Sequence, residues 1–316
     1  MARRAKGDRI NGVLILDKPS DITSNRALQI VKRIFNAQKA GHTGSLDPLA
    51  TGLLPICFGE ATKYSQFLLD ADKRYEVTAQ LGVITDSGDA EGNIIEQREI
   101  PPITIEEFSE VVARFHGEIE QVPSMFSALK FQGKPLYELA RQGITIERKA
   151  RKIKIYAAEI KNFTPTTFSL EVHCSKGTYI RSLVEDIGLA LGCGAHVTQL
   201  RRTAAGPFVA EQMITLEKLT AISEQQSTEA LRHLLLPPDV MLANFEKIIL
   251  NATMTTMLQQ GKTVISPETP ATEIVRIYSD QGLFLGIGSI DATGQIKSRR
   301  LTNTSSPSES SVIANE

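Results

Sequence analysis

Apolar and polar positions along the chain run in two periods, and the changes between them mark out the elements. Val13 to Leu16 is a short apolar run that stops at Asp17-Lys18-Pro19-Ser20-Asp21, which predicts a buried strand followed by a turn. Ala27, Ile30, Val31 and Ile34 then recur at helical spacing, and Thr23 or Ser24 is placed to cap that helix. From Ala40 to Gly52 three glycines and one proline interrupt any period, so this segment is expected to be an irregular loop with close backbone approaches. Tyr75, Val77, Ala79 and Leu81 alternate with Glu76, Thr78 and Gln80 as a half-buried strand does. Phe168, Leu170, Val172 and Cys174 alternate likewise. Beyond Gly177 the period changes, with Ile180, Leu183, Val184, Ile187 and Leu191 at helical spacing, so a strand, a turn and a helix follow one another.

Strands and helices alternate irregularly and no repeat of fixed length appears, so the pattern predicts an α+β fold with a mixed sheet. At 316 residues, about two domains are expected. The boundary falls near Leu236-Pro237-Pro238. Beyond it, Glu273 to Ile290 has the short glycine-broken strands of a small β-barrel or sandwich. The segment 302–316 carries many serines and few apolar residues and is expected to be a disordered tail. No apolar run nears the ~18 residues of a membrane helix. The basic start has only a strand's length of apolar residues behind it, which argues against secretion. Cys57, Cys174 and Cys193 lack CxxC spacing and the five histidines form no HExxH pattern, so a cytoplasmic protein without metal or cofactor is expected.

The balance of 35 basic and 36 acidic residues argues at first against a polyanionic partner. Locally it reverses. Eight acidic residues and one basic residue lie between Ile84 and Glu110, a stretch expected to turn away from any polyanion. Between Ser124 and Lys154 eight basic residues face two acidic ones, with Phe126, Phe131 and Tyr137 interleaved. Such a segment is either a solvated face or a phosphate-binding one.

The Walker pattern, GxSxG and a full GxGxxG are absent. Arg181 falls in the first turn of its helix, where the dipole disfavours a cation by roughly 0.3 to 1 kcal/mol, so an anion is expected beside it. Asp47 precedes Pro48 in the glycine-rich loop. On spacing alone it reads as the start of an Asp-Pro turn.

The loop Gly41-His42-Thr43-Gly44-Ser45-Leu46-Asp47-Pro48-Leu49-Ala50-Thr51-Gly52 closely resembles the catalytic loop of the TruB family of pseudouridine synthases. Lys18-Pro19, Lys73-Arg74-Tyr75, Ser124 to Lys130, Ser175 to Arg181 and Gly192 to Val197 resemble further family segments in the same order, over roughly Asn11 to Leu219. The resemblance implies a pseudouridine synthase fold with a largely antiparallel sheet. It implies a catalytic domain over 1–236 with an RNA-binding insertion at about 124–154, and a small PUA-like barrel over 237–301. The implied activity is isomerisation of uridine 55 in the T loop of tRNA, by a single chain contacting the T loop and stem, with no cofactor.

By the same resemblance Asp47 is the nucleophile, Arg181 its partner, and Tyr75 the ring that stacks on the target uracil and helps remove its C5 proton. Tyr179 and Leu200 would line the uracil pocket, and His42 would fill the gap left by the flipped base. Lys130, Arg141, Arg148, Lys149, Arg151 and Lys152 would grip the RNA backbone. Where the family usually has glycine this chain has Asp21, which is expected to take the same positive-φ turn. Two other readings stand beside this one: a noncatalytic RNA-binding or tRNA-chaperone protein, and an enzyme of the same fold acting on another RNA.

Overall fold

The computed structural model describes residues 7–225, 228–266 and 273–303. The fold is α+β. Its main sheet has ten strands, of which eight run side by side in the order Ile214–Thr215, Gly12–Lys18, Thr51–Phe58, Ala195–Ala205, Lys73–Leu81, Thr167–Cys174, Arg151–Phe163 and Gly117–Gln121. Two neighbouring pairs are parallel, Gly12–Lys18 with Ile214–Thr215 and Thr51–Phe58 with Ala195–Ala205. The other pairs along this path are antiparallel, so the sheet is mixed and largely antiparallel.

The alternation read at Tyr75 to Leu81 and at Phe168 to Cys174 is the alternation of this sheet. Val77, Ala79 and Leu81 are buried against Leu170, Val172, Phe168 and the apolar side of helix Ile180–Ala190. Helix Ser24–Ile34 begins at Thr23, whose side chain accepts the Arg26 N–H, so Ser24 is its first residue rather than its cap. Its buried positions are Ser24, Ala27, Leu28 and Val31, with Ile30 and Ile34 only partly covered. Asp21 has φ 64°, the positive value expected of it.

Three expectations need correction. The segment from Ala40 is not irregular throughout, since Ala40–His42 pairs with Thr51–Phe58 and only the residues between them form a loop. The insertion ends earlier than 154, because Arg151 to Lys154 pair with Gln121 to Glu118 in the main sheet. Thr302 and Asn303 are held, the first by the Leu285 carbonyl at 2.9 Å and the second by the Glu60 carboxylate at 2.6 Å. The rest of the expected tail, 304–316, lies outside the described residues.

A second sheet of five strands runs in the order Glu246–Leu250, Ile274–Ser279, Phe284–Ile290, Gln295–Leu301 and Val264–Ile265, around a core that includes Ile248, Leu250, Val275, Ile277 and Ile296. This open half-barrel is the PUA-like element. A separate apolar cluster joins it to the main sheet, with Val13, Leu53, Tyr64, Phe208 and Leu242 on one side and Ile287 and Phe284 on the other. Among the described residues no helix is long and apolar enough to cross a membrane.

Gly52 shows how tightly the centre of the main sheet is built. Its φ is 96°, and a Cβ added there would meet the Arg202 carbonyl oxygen at 2.3 Å. Gly52→Ala is therefore expected to destabilise the protein by at least about 2 kcal/mol, through a strained backbone and a collision with a strand that cannot move aside. Urea unfolding of the two proteins checks this, and equal midpoints would contradict it.

Candidate active site

Asp47 is presented by a turn that is tied down on every side. The Ala50 N–H returns to the Asp47 carbonyl at 3.1 Å, closing the Asp47-Pro48-Leu49-Ala50 turn with proline where its fixed φ fits. The Pro48 carbonyl accepts from the Asp21 N–H at 3.0 Å and from Lys18 Nζ at 3.1 Å. Lys18 is fully buried, and its Nζ also donates to the carbonyls of Pro19 at 2.8 Å and Ile22 at 2.7 Å. Three carbonyls suit an ammonium with three protons. Burial lowers the Lys18 pKa to about 8, which leaves it charged at neutral pH. Ser24 bonds both the N–H and the carbonyl of Leu46, one residue before the aspartate.

Arg181 comes from a distant part of the chain, on helix Ile180–Ala190. Its helix starts at Tyr179, whose N–H and carbonyl both bond the side-chain amide of the buried Gln121, at 2.8 and 3.0 Å. Arg181 Nε meets Asp47 Oδ2 at 3.0 Å, and Nη1 meets Asp89 Oδ2 at 3.2 Å. The remaining donors go to the carbonyls of Ser87 and Phe126, each at 2.7 Å. The anion expected beside this cation is thus a pair of carboxylates, which outweighs the unfavourable helix position.

The two carboxylates differ in setting. Asp89 is 3% exposed and also accepts from Ser87 Oγ at 2.6 Å and the Glu91 N–H at 3.1 Å. Asp47 keeps 40% of its side chain exposed although protein crowds around it. That crowding raises its pKa above the ordinary carboxylate value, Arg181 pulls it down, Asp89 raises it, and Lys18 lowers it. An exposed carboxylate held by an arginine, with a second acid beside that arginine, can act as a nucleophile or a base toward a molecule that reaches it.

Residues 32–180 match the family described as TruB family pseudouridylate synthase (N terminal domain). Residues 181–243 match the tRNA pseudouridylate synthase B C-terminal domain, and residues 247–302 match the C-terminal family of pseudouridine synthase II TruB. A Tolumonas auensis protein named tRNA pseudouridine synthase B is 52% identical over 306 residues, covering 95% of this chain and 94% of its own length. The chain belongs to the TruB family. A Vibrio cholerae protein of the same name is 51% identical over 95% of this chain and 98% of its own. Among solved structures, a chain of a Cbf5-Nop10-Gar1 complex is similar with TM-score 0.69 and 29% identity, over 90% of this chain and 79% of that one. So is a chain of an H/ACA RNP bound to a substrate RNA containing 2'-deoxyuridine, with TM-score 0.69 and 26% identity, over 93% and 85% of the two chains.

The other residues singled out in this TruB chain gather around the pair to different degrees. Tyr75 is partly buried on the strand beside Arg202 and Val172, and Leu200 stands opposite Val77 two residues along. Leu200 lines a cavity of about 550 Å3 together with Leu49, Thr51, Val77 and Glu91. Tyr179 opens the Arg181 helix. His42 ends its short strand, where burial and then the Arg202 charge lower its pKa. Among the described residues, His42 Nδ1 and Thr43 Oγ1 are buried without a hydrogen-bond partner.

The basic residues are more spread. Lys130 lies on a small hairpin, Arg141 ends helix Leu136–Arg141, and Lys149, Arg151 and Lys152 are exposed further on. Arg148 turns inward instead, donating to the Pro123 carbonyl at 3.0 Å at the root of the insertion. The exposed rings of Phe131 and Tyr137 stand on this element.

Asp89 is the residue that sequence reasoning missed. It lies in the acidic stretch expected to face away from a polyanion, yet it is buried behind Asp47. Averaging the charge over that stretch hid it. The local signal was Ser87-Gly88-Asp89, a turn-forming triplet whose Gly88 has φ 75°. Asp89→Asn is expected to keep tRNA binding and to slow turnover by roughly ten- to a hundredfold, since it removes one charge-assisted bond from Arg181. Single-turnover rates measured beside binding check this, and a wild-type rate would contradict it.

Proposed function

We propose that this chain isomerises uridine to pseudouridine in the T loop of tRNA, at position 55, with Asp47 as the nucleophile. The observation that carries the reading is the Asp47–Arg181 pair, in which the aspartate keeps 40% of its side chain exposed, backed by buried Asp89. A surface that only bound RNA would gain nothing from carboxylates set among phosphates. The reaction breaks the bond from ribose to N1, turns the uracil and rejoins it through C5, so it needs no redox partner or group donor. Asp47 attacks while ionised, and the bond it forms breaks again to release the carboxylate by the time C5 is joined to the ribose and the product is complete; Arg181 keeps it ionised and aimed.

The target base must leave its stack, at a cost of a few kcal/mol, before the carboxylate can reach it. Tyr75 then stacks on the uracil and helps remove the C5 proton, Tyr179 and Leu200 line the pocket, and His42 fills the vacated place in the loop. Lys130, Arg141, Lys149, Arg151 and Lys152 hold phosphates, and Arg148 braces the insertion. Such contacts position the RNA without reading its sequence, so recognition rests on T-loop shape. The same reading divides the chain into a catalytic unit over 1–236 and a PUA-like unit over 237–301 that touches tRNA outside the T loop. It acts in the cytoplasm as a single chain.

Incubating the protein with unmodified tRNA and mapping pseudouridine tests the proposal: product at position 55 is expected, and none at any uridine would overturn it. Asp47→Asn is expected to bind tRNA and form no product. Changing Lys149 and Lys152 together to Ala is expected to weaken binding and to flatten the dependence of log affinity on log salt by about 1.4 to 1.8. A salt slope equal to that of the wild type would remove these two lysines from the RNA contact.

A further inference from the structure

Two consecutive arginines end differently. Arg201 pairs with Asp17, at 2.8 Å from Nη2 to Oδ2. Arg202 is 1% exposed, and among the described residues no carboxylate forms an ion pair with it. Its Nε donates to the Leu53 carbonyl at 2.7 Å and its Nη2 to the Gly44 carbonyl at 3.0 Å. Both acceptors flank the loop that carries Asp47. Two neutral carbonyls do not balance a buried guanidinium, and a buried charge without a counter-ion is strongly disfavoured.

The missing counterpart stands opposite. Arg202 and Tyr75 are direct cross-strand partners in the antiparallel pair of Ala195–Ala205 with Lys73–Leu81. Residues in that relation share one face of the sheet, with Cβ atoms about 5 Å apart. Gly52 packs its backbone against that of Arg202, so the arginine cannot drift from this place. Burial pushes the Tyr75 phenol above its ordinary value, and the Arg202 guanidinium is the strongest influence pulling it back.

We propose that Arg202 is the positioning residue for Tyr75: its guanidinium holds the phenol oxygen in place, supplies the counter-charge of the phenolate, and ties both to the Asp47 loop through Gly44. The proposal rests on the pseudouridine synthase reading and deepens it. An arginine only donates, so the phenol oxygen accepts from it and the O–H is turned away from the guanidinium. In the step given to Tyr75, the phenolic proton has first gone to water. The C5–H bond then breaks and its electron pair forms C5=C6. The former C6=N1 pair is taken up as N1–H with a proton from water, and the C5 proton passes to the phenolate oxygen. Arg202 balances the oxygen's charge until that proton arrives.

A double-mutant cycle on full-length protein tests this, using Arg202→Met, Arg202→Lys, Tyr75→Phe and both pairs, with single-turnover pseudouridine formation and tRNA affinity measured for each. Arg202→Met is expected to slow the reaction on the order of ten- to a hundredfold, with affinity within about twofold of wild type. In the Tyr75→Phe background the same change is expected to cost less than about threefold, because the oxygen it serves is gone. An equal loss in both backgrounds, or a loss of affinity matching the loss of rate, would overturn the proposal in favour of a purely structural arginine. Should Arg202→Met fail to fold, Arg202→Lys carries the test. Its curve of rate against pH is expected to be displaced from wild type, and the curve of the Lys variant in the Tyr75→Phe background to coincide with that of Tyr75→Phe alone. Curves displaced equally in both backgrounds, or in neither, would overturn the proposal. Wild type that makes no pseudouridine would sink the functional reading itself, which separates the two failures.

Discussion

The guanidinium of Arg181 sits between two carboxylates and two backbone carbonyls, and the surrounding structure is arranged to keep it there. A cation at the start of a helix, 4% exposed, is unfavourable twice over, from the dipole and from the loss of water. Asp47 and Asp89 reverse that balance, and the Ser87 and Phe126 carbonyls use the donors that remain. Removing the arginine would leave Asp89 buried without its cation, a loss of about 3 to 5 kcal/mol in comparable sites. The pair is therefore a joint in the fold as well as a site for chemistry.

Each arm of that joint belongs to a different part of the chain. Asp47 rides on a turn held by Lys18, Asp21 and Ser24, Asp89 on the acidic loop clipped to the end of strand Ala195–Ala205, and Phe126 on the insertion. Arg181 itself is set by a helix whose cap residue, Tyr179, is pinned by Gln121. The Phe126 contact gives the insertion a direct bond to the cation that orients Asp47.

Much of this was legible in the sequence where burial and period coincide. The alternation from Tyr75 to Leu81, the strand, turn and helix from Phe168 to Leu191, and the demand for an anion near Arg181 all hold, because each follows from local geometry. The loop residues Asp47 and His42 were marked by motif rather than by period, and spacing alone favoured a simple turn. Asp89 escaped because its neighbours are acidic and exposed, so the average charge described them and not it. The inward turn of Arg148 and the absence, among the described residues, of a carboxylate paired with Arg202 escaped for the same reason: charge counts say nothing about which residues face each other across a sheet. The joining of the half-barrel to the main sheet through Tyr64, Phe208 and Phe284 depends on contacts far apart in sequence, which no local pattern carries.

In the proposed reaction Arg181 keeps an otherwise disfavoured Asp47 carboxylate ionised. The direct measurement is an NMR titration of the Asp47 carboxyl carbon in carbon-13-labelled protein, assigned by its absence in Asp47→Asn, for wild type and for Arg181→Gln. Burial raises the pKa and the guanidinium lowers it, so the Asp47 titration is expected to move to higher pH once the arginine is gone. The same titration midpoint in both proteins would contradict it.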